Sequence, residues 1–138
     1  MKTAAKILAG AILVIICHPL RADPQEPQHV VDHALLKARV DAARRTYEAL
    51  AKNYIESRPP LAELLYRWSC RWLDAERHLS ARQSDQVAAC QAHLNRMKEV
   101  ERVTKDRFRN RYVPIEEDSA AQFYRVEAEI WLAEARKN

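Results

Sequence analysis

Residues 61–79 read LAELLYRWSCRWLDAERHL. Leu61, Leu65, Trp68, Trp72, Ala75 and Leu79 recur there at spacings of three and four, the period of one face of an α-helix. Pro59-Pro60 stands immediately before the stretch. It must end any preceding helix, because proline lacks a donor and the residue before it avoids α geometry; Pro60 suits the first turn of the next. On the far side, Ser80 to Gln86 (SARQSDQ) carries no large apolar residue. This predicts a turn, with Ser84 or Asp85 capping a new helix. The alternative is one continuous rod from Leu61 to about Arg111.

The same period extends outward in both directions. Upstream, His33, Leu36, Val40, Ala43, Tyr47, Leu50 and Tyr54 form a coiled-coil-like seam. Downstream, a third helix from about Asp85 carries Val87, Cys90, Leu94, Met97, Val100, Val103 and Phe108, and stops near Tyr112-Val113-Pro114. Glu116, Glu117 and Asp118 favour the positive end of a helix dipole, and Ser119-x-x-Gln122 has capping-box form. The last helix is expected to bury Phe123, Val126, Ile130 and Ala133, and it closes on Arg136 and Lys137.

A shift of 58 residues lays Leu61, Leu65, Trp68, Trp72 and Ala75 on Ser119, Phe123, Val126, Ile130 and Ala133. Tyr54 falls on Tyr112, Leu36 on Leu94 and Leu50 on Phe108. The sequence therefore predicts an all-α fold of four helices: two repeated antiparallel coiled-coil-like hairpins, residues about 29–80 and 84–138, packed as a helical bundle.

Residues 1–22 have the three parts of a secretory signal peptide. Lys2 and Lys6 make a positive start, Ile7 to Cys17 an apolar stretch, and Leu20-Arg21-Ala22 a cleavage site ending on small Ala22. The apolar stretch is shorter than the roughly 20 residues a spanning helix needs. A lipoprotein signal with Cys17 as the lipidated residue is the rival, disfavoured by bulky Ile16 before it. A polar leader, residues 23–28 (DPQEPQ), follows. The expected location is thus the periplasm or envelope, with no transmembrane segment in the mature chain.

Cleavage alters the electrostatics. The chain holds 23 basic and 19 acidic residues. Lys2, Lys6 and Arg21 leave with the signal and no acid does, so the remainder is nearly neutral and gives no case for nucleic acid. The single glycine, Gly10, leaves too. Its loss excludes phosphate-cradling loops, dinucleotide fingerprints and nucleophile elbows.

Each helical unit resembles the coiled-coil hairpin of TolC-type outer-membrane efflux proteins. The resemblance rests on Tyr54 through Leu65 leading to Ala75-Glu76-Arg77, and on Tyr112 through Phe123 leading to Ile130-Trp131-Leu132-Ala133-Glu134-Ala135-Arg136. In that family an aromatic residue precedes a tip turn, a Leu-rich helix start follows, and two such units occur per chain. The resemblance implies a short, exported, channel-less helical-hairpin protein. Transport is not carried over, because nothing here reads as membrane strands.

Candidate chemistry is sparse. Cys70 and Cys90 flank Ser80 symmetrically. Across a turn they could face each other as a disulfide, whereas on a continuous helix they would lie ~30 Å apart. A bridge and two buried thiols both remain open. His29 with His33, and Cys90 with His93, share helix faces and could supply half of a Zn²⁺ or Cu²⁺ site; seam or surface packing accounts for them without metal. Trp68 and Trp72 continue the apolar stripe. Trp131 lies off the seam of its helix, near Tyr124, and an exposed aromatic pair there would make a partner surface. Arg102, Lys105, Arg107, Arg109 and Arg111 form a basic run that suits a helix C-terminus. No catalytic residue, cofactor motif or resident cofactor is predicted.

These features point to a non-enzymatic, exported helical protein that acts as an interaction or scaffolding element of the cell envelope through its surface, with self-association open. A periplasmic metal or small-ligand binder and a degenerate relative of an efflux channel are the alternatives.

Overall fold

Asp32 opens the first helix. Its Oδ1 accepts the Ala34 N–H at 2.9 Å, and its carbonyl accepts the amides of Leu35 and Leu36. A computed structural model describes residues 32–56 and 62–137 of the chain, with the side chains of residues 55 and 56 left out. The expected signal peptide with its Ala22 site, Cys17, the 23–28 stretch, His29 and Pro59-Pro60 lie outside the described residues.

Four helices make up the described fold: α1 (His33–Glu56), α2 (Ala62–Leu79), α3 (Gln83–Arg109) and α4 (Ile115–Ala135). Among the described residues there is no strand, and no helix is long and apolar enough to cross a membrane. The all-α bundle is as the periodicity predicts.

The turn between α2 and α3 exists, confined to Ser80-Ala81-Arg82. Ser80 Oγ donates to Asp85 Oδ2 (2.6 Å), and Arg82 Nε donates to the same oxygen (2.9 Å). Those bonds, the Ser80 hydroxyl first, hold the Asp85 carboxyl below its ordinary range. The N-cap is Arg82 in extended conformation, not Ser84 or Asp85, and no side chain caps it. Arg77 Nε gives a bond to Gln86 Oε1, and Gln86 Nε2 returns one to the Arg77 carbonyl, both 2.8 Å, clasping the two helix ends.

The second turn needs a left-handed residue, and with no glycine at hand Arg111 supplies it at φ 61°. The Tyr112 amide bonds back to the Arg107 carbonyl and the Arg111 amide to that of Phe108, each at 2.9 Å. That is the Schellman ending, usually built on glycine. α4 then starts at Ile115 with Pro114 as N-cap, so Ser119 and Gln122 lie inside the helix and form no capping box.

Contacts give the helix directions. Arg77 meets Gln86 and Ser69 meets His93, so α2 and α3 run in opposite senses. Arg125 meets Glu101 and Arg136 meets Gln91, which sets α4 against α3. α1 packs on α2, joined by the Arg39–Asp74 ion pair and by Tyr47 against Trp72. It reaches α3 through Tyr54, whose hydroxyl lies 2.5 Å from Thr104 Oγ1, and through Arg107, which bonds the Tyr54 carbonyl and covers its ring at 4.3 Å.

The core is built from Tyr47, Tyr54, Leu65, Leu73, Leu94, Met97, Val100 and Leu132. It does not follow the 58-residue repeat. Leu65 is buried, yet its repeat mate Phe123 is exposed. Buried positions of α2 and α4 instead match at 59 residues: Ala62 with Ala121, Ser69 with Ala128, and Leu73 with Leu132. The likeness of the two halves lies in composition, and packing uses a different register.

Candidate functional site: a polar core and an exposed apolar face

Ser69 occupies a core position of α2, four residues from both Leu65 and Leu73, and is fully buried. Arg96 Nε donates to its Oγ at 2.7 Å, and that Oγ lies 2.7 Å from His93 Nδ1. With one proton and two lone pairs, the Ser69 hydroxyl accepts from Arg96 and pairs with Nδ1 as donor or acceptor according to the imidazole tautomer. His93 has no exposed surface. Burial, with the Arg96 charge beside it, lowers the His93 pKa to about 4, so the ring is neutral.

Aromatic rings surround this polar pair. Tyr124 stacks on Tyr66 (centroids 4.1 Å apart, planes 9°), Tyr66 tilts against His93, and His93 stacks on Trp131. On the other side, the Arg96 guanidinium lies 4.0 Å from the Trp72 centroid and 5.7 Å from that of Tyr47. Burial raises the Glu76 carboxyl, opposed by the Arg96 charge. His93 Nε2 and Arg96 Nη2 are buried without a hydrogen-bond partner among the described residues, while the Trp72 indole lies beside the Glu76 carboxyl and helps to hold it charged. Each such unpartnered atom costs about 1–3 kcal/mol.

Beside it, Cys70, Cys90, Leu73, Arg77, Trp131 and Glu134 line a cleft of ≈ 430 Å³. Both cysteines are free thiols, so the structure does not contain the bridge that the turn would permit. Burial pushes Cys70 up to about 11 and also raises Cys90. Among the described residues no group of three or more His, Cys, Asp or Glu side chains could hold a metal ion. His33 is exposed, and Cys90 and His93 are both buried in α3, with His93 Nδ1 already engaged by Ser69.

The expected partner surface needs correction. Trp131 and Tyr124 are not an exposed pair; both turn inward onto the rings of His93 and Tyr66. Small, buried Ala121 and Ala128 share that face and let α4 approach closely. Phe123, Val126, Ile130 and Ala133, expected inside, are exposed on the opposite side, where Ile115 joins them. Ile115, Phe123, Val126 and Ile130 are 53, 61, 40 and 51% exposed. α4 is therefore apolar on two opposite faces, of which the bundle covers one. The basic run is largely occupied: Arg102 pairs with Glu99 and Asp106, Arg109 with Asp106, and Arg107 rests on Tyr54.

Sequence reasoning missed Ser69, Arg96 and Glu76. The signal available was a serine at a core spacing between two leucines, which demands a buried polar partner. Comparison with known protein families, curated proteins and solved structures found no match.

Proposed function

We propose that this is an exported, non-enzymatic helical interaction element of the cell envelope, which docks another protein through the outer face of α4. The carrying observation is the line of Ile115, Phe123, Val126 and Ile130, exposed on a helix whose opposite side packs on the bundle through Ala121, Ala128 and Leu132. Isolated surface apolar residues are ordinary, whereas an aligned row of large ones marks an interaction site. The pattern of Lys2, Lys6, Ile7 to Cys17 and Ala22 supports export. The burial of Ser69 and His93, sealed from solvent, supports a binding role over nucleophilic catalysis.

A photo-crosslinking residue at Val126, used in the exporting cell, tests this reading. Protein adducts are expected from Val126 but not from exposed Arg109, and they should vanish when Ile130→Glu is added. Equal labelling from both positions would overturn it. N-terminal sequencing of envelope-fraction protein is expected to begin at Asp23.

A second reading has one observation in its favour: the cleft beside Cys70, Cys90 and Trp131 has the volume of a small-molecule site. A small ligand there would raise the thermal midpoint of the wild-type protein and not of Trp131→Ala.

A further inference from the structure

α1 carries the complement of the α4 face. Its core side holds Ala43, Tyr47 and Tyr54. On its opposite side Leu35, Ala38, Ala42, Arg45, Ala49 and Lys52 are all exposed, at spacings of three and four. This stripe is small and basic, whereas the α4 stripe is large, apolar and flanked by acids. Glu116, Glu127 and Glu134 lie along one flank of α4. Arg45 and Lys52 sit seven residues apart, about 10 Å, with Glu48 on the flank between them; on α4, Glu134 lies the same distance from Glu127, whose carboxylate is already held by Tyr66. Among the described residues Arg45, Lys52, Glu116 and Glu134 have no ion-pair partner.

We infer that the occupant of the α4 face is the α1 face of a second copy of this chain. Phe123, Val126 and Ile130 of one copy enter the spaces beside Ala38, Ala42 and Ala49 of the next, and the acidic flank of α4 meets Arg45 and Lys52. Packing α4 on α4 would instead set like charges together, which disfavours a two-fold contact. A contact between two different faces leaves one of each free on every dimer, so assembly continues beyond two copies. This inference rests on the reading of α4 as the docking face, and adds to it the partner and the direction of growth.

Sedimentation of the purified protein from micromolar to millimolar concentration tests it. The wild type is expected to grow beyond dimers, less so at high salt. The α4 variant Val126→Glu/Ile130→Glu and the α1 variant Arg45→Glu/Lys52→Glu should each associate at least about tenfold more weakly. All four positions are exposed, and unchanged helicity by circular dichroism verifies each fold. Mixed in equal amounts, the two variants should form a dimer and stop there, because the α1 variant keeps an intact α4 and the α4 variant an intact α1. Association lost in the α4 variant alone, with no dimer on mixing, would overturn the inference. So would a wild type that stays monomeric throughout. In that case protein adducts from Val126 would still uphold α4 as a docking face, whereas their absence would remove that reading too.

Discussion

The imidazole of His93 lies against the indole of Trp131, with centroids 5.3 Å apart and planes 20° from parallel. The contact joins α3 to α4 at the edge of the polar core, and it explains why Trp131 faces inward. A neutral, fully buried ring stacks well there. A charged one would bring an unsolvated cation into the bundle beside Arg96.

That geometry makes stability depend on pH. His93 titrates near 4 when folded and near 6.5 when unfolded, so the unfolded chain binds the extra proton between those values. Stability from this group is complete above about 6.5 and falls as the pH drops towards 4, by on the order of 3 kcal/mol. Urea unfolding at pH 7, 5.5 and 4.5 checks it. His93→Phe keeps a ring on Trp131 but removes one of the two hydrogen-bond partners of Ser69, leaving Arg96. It should be less stable at pH 7 by about 1–3 kcal/mol, yet lose most of the slope between 6.5 and 4.

Arg96 joins Ser69, Trp72 and Tyr47, and its charge opposes the desolvation of Glu76. Arg96→Met should cost about 1–3 kcal/mol, since it removes the bond to buried Ser69 and leaves half-buried Glu76 without the nearby positive charge. Arg96→Met/Glu76→Leu should recover part of that loss. Additive losses in a double-mutant cycle would show that the two residues are uncoupled.

Arg111 holds a conformation that a Cβ disfavours. Arg111→Gly should stabilise the fold by about 1 kcal/mol, read as a higher urea midpoint at unchanged slope. The side chain is exposed, so little packing is lost with it.

Cys70 and Cys90 should react slowly with iodoacetamide in the native protein at neutral pH, because burial keeps both protonated. Modification of Cys70 should accelerate as the pH approaches about 11. In denaturant without reductant both should titrate as thiols, and a count of none would contradict the free state seen in the structure.

Much of the fold was legible in the sequence. The seams of α1 and α3 were placed correctly at Ala43, Tyr47, Tyr54, Cys90, Leu94, Met97 and Val100, because each of these helices has one apolar side that solvent does not want. α4 defeated the same logic. With apolar residues on both sides, periodicity marks two faces and cannot say which is covered. The choice falls to Ala121 and Ala128, which permit close approach, and to the stacked rings of Tyr124 and Trp131. The polar core was illegible for a different reason. Ser69, Glu76 and Arg96 come from two helices, and only their juxtaposition gives them meaning.

The two-faced character of α4 also bears on how the chain reaches its native state. Half a turn about its own axis would bury Phe123, Val126 and Ile130 in place of Tyr124, Ala128 and Leu132. Such a rotamer of the whole helix would strip His93 of its stacking partner Trp131 and pull Glu127 away from Tyr66. The polar and aromatic groups along α2 and α3 therefore favour the native orientation of α4 over its half-turn alternative.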